Sequence, residues 1–179
     1  FDANGGSGNM NSQPSVYQTP VVLPVNQYTR DYHTFQGWNS QPDGGGTAYG
    51  DGQSVLNLTK IYGGTVTLYA QWLPNTYIIT FADGMDGGQN VQKGLLYTGK
   101  LGTLPEFIRK GYTLLGFYTE PAGGTRITEE TDVPHEDTTY HAHWSANKYR
   151  ITFHTRDAHC DIDGKAVIYD KTIGILPVP

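Results

Sequence analysis

The sequence has a single cysteine, few charged residues and no long hydrophobic segment. Cys160 stands alone, so a disulfide bond within the chain is excluded. No window approaches the roughly 18 apolar residues of a membrane-spanning helix, so we expect no membrane insertion. The 12 Lys and Arg residues are scattered and the formal net charge is −5, which argues against nucleic acid and anionic membrane surfaces as partners.

Glycine and tyrosine, in contrast, are plentiful, with 23 and 13 residues. The glycines cluster beside Asn, Asp and Pro in the stretches "DANGGSG", "ADGMDGG", "QPDGGGT" and "EPAGGT". Such stretches supply the positive φ angles that tight hairpin turns require. No segment shows the periodicity of an amphipathic helix, apart from one turn that "ITEETDVPHED" could form. We therefore predict a mainly β fold with little helix.

Several short motifs occur twice. "TLYAQW" ends at Trp72 and "TYHAHW" ends at Trp144, 72 residues later. "YIITF" and "YRITF", which begin at Tyr77 and Tyr149, keep the same interval. A long stretch, "YHTFQGWNSQPDGGGT", aligns with "GYTLLGFYTEPAGGT" further along the chain. Self-similarity at such intervals indicates a tandem array of small modules.

The motifs divide the chain into repeat 1 (1–75), repeat 2 (76–147) and the N-terminal part of a repeat 3 (148–179). Repeat 1 starts at Phe1 and so lacks the start of its first strand, the Tyr-x-Ile-Thr that precedes the corresponding phenylalanine later in the chain. Repeat 3 stops before its own "GYTLLGF". We interpret the chain as part of a longer array.

The recurring hydrophobic positions define the expected core. In "TLYAQW", Leu68, Ala70 and Trp72 alternate with polar residues and fall on one face of a strand. A glycine within the preceding strand, Gly37 or Gly116, predicts a β-bulge or a close backbone approach. The core residues expected from recurrence are Trp38, Phe117, Trp72, Trp144, Phe81 and Phe153.

In combination, "FDANGGSG", "YHTFQGWNSQPDGGGTAY", "TLYAQW", "GYTLLGFYTEPAGGT" and "TYHAHW" closely resemble the Listeria-Bacteroides repeat family, the internalin B-repeats of bacterial surface proteins. Repeat 1 departs from the family pattern with Tyr32-His33 in place of Gly-Tyr, and repeat 2 has Phe117 in place of the tryptophan. The resemblance implies tandem β-grasp-like modules of about four strands each on an exported, extracellular bacterial cell-surface protein. Alternation and turns by themselves fit a small sandwich equally well.

Candidate catalytic and metal sites fail an internal test, because a site shared by the repeats would occur in both. The acidic cluster around Glu129 and Glu130 has no counterpart in repeat 1. His154, His159 and Cys160, followed by "DIDG", match neither a closed zinc pattern nor a complete calcium loop. We expect no catalytic residue, no metal and no cofactor.

Four residues are the candidates for surface contact. They lie on the outward face of the closing strand of each repeat, the strand that contains "TLYAQW" or "TYHAHW". Tyr69 and Gln71 of repeat 1 are replaced by His141 and His143 in repeat 2, so this face varies between the copies. The two histidines have an i, i+2 spacing that could chelate a metal, but no third ligand is evident. An exposed polar face is the simpler interpretation.

These observations favour a non-enzymatic tandem repeat region that acts as a stalk or spacer, with an adhesive role left open. The alternative is a module that binds carbohydrate or a host-cell protein, with glycan or protein as its partner. We expect a monomer. One further option is head-to-tail strand exchange, because residues 149–153 form a spare opening strand that repeat 1 lacks.

Overall fold

The structure is a computed structural model that describes residues 1–85, 88–153 and 162–175. The chain divides into two compact units, Phe1–Thr76 with Leu96–Thr98, and Tyr77–Leu95 with Gly99–Pro179. The described residues contain strands and turns and no helix, which confirms the predicted mainly β class. Within that part of the chain there is consequently no helix long enough to cross a membrane.

The first unit contains two small antiparallel sheets. Its strands are β1 (Val21–Val22), β2 (His33–Asn39), β3 (Ala48–Tyr49), β4 (Ser54–Val55) and β5 (Tyr69–Pro74). One sheet has the order β3-β2-β5 and the other pairs β1 with β4. Near the N-terminus, Asp2 forms a parallel bridge with Tyr69 of β5.

The second unit contains a four-stranded mixed sheet and a two-stranded hairpin. Its strands are β6 (Thr76–Ala82), β7 (Asn90–Leu96), β8 (Tyr112–Tyr118), β9 (Thr138–Ala146), β10 (Lys148–Phe153) and β11 (Ile162–Ile168). The sheet order is β7-β6-β9-β8, with β6 and β9 parallel and β8 and β9 antiparallel. The hairpin pairs β10 with β11. Four strands in one sheet agree with the module size expected for repeat 2.

Each unit has its own hydrophobic core, and the two cores share some corresponding positions, namely Trp38 and Phe117, Leu68 and Tyr140, and Ala70 and Ala142. The core of the first unit consists of Met10, Leu23, Tyr28, Trp38, Val55, Leu68 and Ala70. The core of the second unit consists of Ile79, Phe81, Leu101, Phe117, Ile127, Val133, Tyr140 and Ala142. Trp72 and Trp144 are half-buried and pack against these clusters, while Phe153 is half-buried in β10.

Gly37 in β2 and Gly116 in β8 form the predicted bulges, one in each unit. The pairing register shifts between Phe35 and Gly37 in β2, and between Leu114 and Gly116 in β8. The two glycines have φ angles of 136° and 132°, which side-chain-bearing residues rarely adopt. The prediction of a bulge is therefore confirmed.

Candidate functional site

Of the two predicted contact residues of repeat 1, Gln71 touches the turn that follows β2. Tyr69 and Gln71 are half-buried on β5, opposite Asn39 and Gly37 respectively. The Gln71 side-chain amide donates to the carbonyl oxygen of Gln41 at 3.4 Å. Gln71 therefore supports the turn and presents only part of its side chain to solvent.

The corresponding histidines of repeat 2 are also half-buried. The Nε2 atom of His143 lies 2.9 Å from the carbonyl oxygen of Glu120, and its ring stacks on Tyr118 with centroids 3.9 Å apart. His141 lies on the same strand, between Ala82 of β6 and Tyr118 of β8. The imidazole of His143 is thus engaged with its own module, which leaves it poorly placed to bind a metal.

No group of three or more metal-ligating side chains occurs within residues 1–85, 88–153 and 162–175. His154, His159, Cys160 and the first residue of "DIDG" lie outside the described residues.

The acidic cluster of repeat 2 is spread over separate structural contacts. Asp132 forms an exposed ion pair with Lys100 at 2.6 Å, and this side-chain hydrogen bond raises the pKa of Lys100. Asp137 accepts a hydrogen bond from the Ile78 backbone N–H at 2.8 Å. Because both side chains are exposed to solvent, the Lys100–Asp132 pair adds little stability.

A buried asparagine organises the turn after β2 in repeat 1. Asn39 is 3% exposed, and its Oδ1 accepts hydrogen bonds from the N–H groups of Gln41 and Gly46 at 2.9 and 3.0 Å. Its Nδ2 donates to the carbonyl oxygen of Gly44 at 3.0 Å. In addition, the Thr47 N–H donates to the Ser40 hydroxyl. The same bond recurs in repeat 2, where the Thr125 N–H donates to the Thr119 hydroxyl.

The closing tryptophan has a polar role that recurrence in the sequence did not reveal. The Trp72 indole N–H donates to the carbonyl oxygen of Ala3 at 2.9 Å. In the second unit, the Trp144 indole N–H donates to the carbonyl oxygen of Asp83 at 2.8 Å. In both units the acceptor lies in the Gly-rich turn that follows a phenylalanine, Phe1 or Phe81. The hydrogen bond therefore connects β5 or β9 to that turn.

An asparagine between two consecutive strands forms a junction network, which the sequence did not predict. Asn75 alone separates β5 from β6, and its N–H donates to the carbonyl oxygen of Tyr32 at 2.8 Å. The Thr34 hydroxyl donates to Asn75 Oδ1 at 2.9 Å, and the Tyr97 N–H donates to the Asn75 carbonyl oxygen at 3.0 Å. The rings of Tyr32 and Tyr97 lie 5.1 Å apart.

The same network occurs around Asn147, which alone separates β9 from β10. Its N–H donates to the carbonyl oxygen of Gly111 at 2.8 Å, and the Thr113 hydroxyl donates to its Oδ1 at 2.7 Å. The Tyr169 N–H donates to the Asn147 carbonyl oxygen at 2.9 Å, and the Tyr169 ring packs edge-on against Tyr112 at 5.5 Å. Each repeat junction is therefore hydrogen-bonded in the same way.

The residues of this network have a signal in the sequence. Both junctions read Trp-x-x-Asn-x-Tyr, and Tyr97 and Tyr169 stand 72 residues apart, the interval of the other repeat landmarks. Tyr32 and Gly111 also share a positive φ, 58° and 78°. The family pattern usually has glycine at this position. Tyr32 replaces it in repeat 1 and keeps the same left-handed backbone conformation as Gly111.

The chain is therefore a tandem array of small β modules with matching junctions and partly corresponding cores. The model of the Listeria-Bacteroides repeat domain matches residues 1–71 and again residues 77–143. Because these two matches cover most of the sequence, the chain belongs to the Listeria-Bacteroides repeat family.

Proteins of two bacteria are similar to this chain. Internalin H of Listeria monocytogenes is 34% identical over 161 residues, which is 85% of this chain and 27% of the relative. A protein of Evansella cellulosilytica named "Putative Gly-rich membrane protein" is 32% identical over 143 residues, which is 74% of this chain and 16% of the relative. The chain thus spans about a quarter or less of the length of these relatives.

Proposed function

We propose that the chain is a non-enzymatic stalk or spacer region of an extracellular bacterial cell-surface protein. The observation that carries this proposal is the repeated junction, in which one asparagine separates consecutive strands and three hydrogen bonds hold it in each case. The names of the relatives, an internalin and a membrane protein, support a place in the cell envelope.

The junction supports a spacer because it leaves almost no free linker between repeats. Flexible linkers extend the range of module orientations as their length grows, whereas a single hydrogen-bonded residue gives little such freedom. The backbone N–H and carbonyl of Asn75 are both used, and its side chain accepts from Thr34. Restricted freedom at every junction would let an array project its distal end away from the cell.

Small-angle scattering of the full chain tests the proposal. A matched variant carries Gly-Ser-Gly-Ser inserted between Asn75 and Thr76, which lengthens the junction without altering either core. We expect the natural chain to scatter as an elongated particle and the variant to show a broader distribution of dimensions. A compact globule for the natural chain, or identical scattering for both proteins, would contradict the spacer function.

A contact function is tested by binding of the chain to glycans, matrix proteins and epithelial cells. A spacer is expected to show no saturable binding. Saturable binding that is lost on substitution of Tyr69, Gln71, His141 or His143 would instead favour the carbohydrate- or protein-binding alternative.

A further inference from the structure

The chain enters and leaves repeat 2 through two neighbouring strands of its sheet. Asn75 alone precedes β6, and Asn147 alone follows β9. These two strands pair in parallel, in a register that starts with Ile79 opposite Thr138. The chain therefore enters the strand pair at one end and leaves it at the other end.

This arrangement determines how tension along the chain would act on repeat 2. Tension from the preceding segment would pull β6 toward its N-terminus, and tension from the following segment would pull β9 toward its C-terminus. Because the strands are parallel, the two pulls are opposed along the strand axis and shear the ladder. The backbone hydrogen bonds of a parallel ladder are evenly spaced, so shear loads them together, whereas a pull across the strands breaks them one after another.

Two further hydrogen bonds join the same segments on either side of the ladder. The Ile78 N–H donates to Asp137 Oδ1 at 2.8 Å, at the end where β6 begins. Beyond the other end of β6, the Trp144 indole N–H donates to the carbonyl oxygen of Asp83 at 2.8 Å. Tension that enters through β6 therefore reaches the Ile78–Asp137 bond before it reaches the backbone ladder.

The buried faces of the two strands also resist sliding. Ile79 and Phe81 of β6 are fully buried, in the same core cluster as Tyr140 and Ala142 of β9. The Phe81 ring packs edge-on against the ring of Phe117 at 5.1 Å. Because protein cores are close-packed, β6 could not slide along β9 without displacing these side chains.

We propose that repeat 2 bears mechanical load, with β6, β9 and the Ile78–Asp137 hydrogen bond acting together as a shear clamp. This inference rests on the proposed stalk function and goes beyond it, because a spacer needs only length, whereas a load-bearing stalk needs resistance to tension. Forced unfolding is governed by the rate of unfolding. An exposed hydrogen bond can therefore raise the unfolding force even where it adds little to the free energy of unfolding.

Single-molecule force measurement on the full chain tests the clamp by comparing two directions of pulling. Handles at Thr76→Cys and Lys148→Cys, in a Cys160→Ser background, load β6 and β9 in shear, and both positions are exposed. The matched control keeps the handle at Lys148→Cys and moves the other to Lys110→Cys, also an exposed position. This control peels β8 from β9, starting at the pair of Tyr112 and Ala146.

At the same loading rate, we expect an unfolding force at least about twofold higher in shear than in peeling. An equal or lower force in shear would overturn the proposal. Scattering tests the spacer function separately, so a weak clamp in an elongated chain would contradict only the load-bearing role.

Substitution of Asp137 tests the contribution of its side chain. Asp137→Ala should lower the shear force by roughly a fifth and leave the peeling force unchanged, because it removes a charge-assisted bond that only shear loads directly. Asp137→Asn keeps an oxygen acceptor and should lose less. Glu136→Ala removes the neighbouring exposed carboxylate and should have no effect. An unchanged shear force in Asp137→Ala, or an equal loss in Glu136→Ala, would overturn the proposed clamp.

Discussion

The Trp72 indole N–H donates a hydrogen bond to the carbonyl oxygen of Ala3, 69 residues earlier in the chain, at 2.9 Å. The equivalent bond from Trp144 to Asp83 spans 61 residues. The bond explains why β5 and β9 carry a tryptophan at the same position, Trp72 or Trp144. An apolar side chain would fill the same half-buried space, but it would have no donor for the turn that follows the opening phenylalanine.

Trp72→Phe and Trp144→Phe should each destabilise the unit that carries the substitution. Each removes one hydrogen bond and leaves a partly buried carbonyl oxygen without its donor, which costs about 1 to 3 kcal/mol. Native-state hydrogen exchange on the full chain should show faster exchange in the turn of the same unit. Uniform acceleration in both units, or no change in either turn, would contradict the role assigned to the indole.

Gly37→Ala should destabilise more than Gly116→Ala, although both glycines have nearly the same φ. A Cβ atom on Gly37 would lie 2.8 Å from the backbone carbonyl oxygen of Tyr49. The three atoms nearest to a Cβ atom on Gly116 all belong to the Arg126 side chain, which can move away. We expect about 1 to 3 kcal/mol of backbone strain for both variants, with the steric conflict added for Gly37→Ala alone. Chemical denaturation of the two variants measures the difference, and equal losses would contradict it.

Asn39→Ala should loosen the turn after β2 and lower the free energy of unfolding of the first unit by about 1 to 3 kcal/mol. The reason is that the buried amide satisfies two backbone N–H groups and one carbonyl of that turn. Ser40→Ala is a milder comparison, because it removes only the acceptor of the Thr47 N–H. Hydrogen exchange at residues 41–47 should rise more in Asn39→Ala than in Ser40→Ala, and the reverse order would refute this account of the turn.

Stability of the second unit should fall at alkaline pH because burial raises the pKa of the Tyr140 hydroxyl above its usual value. Below about pH 10, Tyr140 is neutral in both the folded and the unfolded chain, and its contribution is fully present. As the pH rises further, the unfolded chain releases the proton first, so stability is lost through the range up to the folded pKa.

Tyr140→Phe should reduce this alkaline loss. Leu68 occupies the equivalent place in the first unit, which therefore serves as an internal control. Absorbance titration of the tyrosines should show one fewer high-pH ionisation in the variant. If the variant instead loses an ionisation at the pH where exposed tyrosines titrate, burial does not raise the pKa of Tyr140.

The sequence predicted the features that depend on local pattern. Alternation in "TLYAQW" indicated the buried face that Leu68 and Ala70 form, and the glycine within the long strand indicated the bulge. Alternation placed Gln71 on the outward face, but it did not indicate that the Gly-rich turn after β2 contacts this side chain. A Cβ atom on Gly44 of that turn would lie 3.1 Å from Gln71 Oε1. Alternation assigns a residue to a face but does not show which turn covers that face.

The junction networks show the other limit of local pattern. Asn75 and Tyr97 are far apart in sequence, and their contact depends on where the chain runs after β7. Before the structure is known, recurrence alone links Asn75 to Tyr97. Tyr97 and Tyr169 are 72 residues apart, and so are the two junction asparagines. Recurrence therefore identifies the participating residues, while the strand order determines which of them meet.

A spin-label distance measurement shows whether the Asn75 junction restricts motion between the repeats. Labels at Gln36→Cys and Leu115→Cys, in a Cys160→Ser background, occupy equivalent exposed positions on β2 and β8. We expect a narrow distance distribution that broadens when Gly-Ser-Gly-Ser is inserted after Asn75. An equally broad distribution in the chain without the insertion would contradict it.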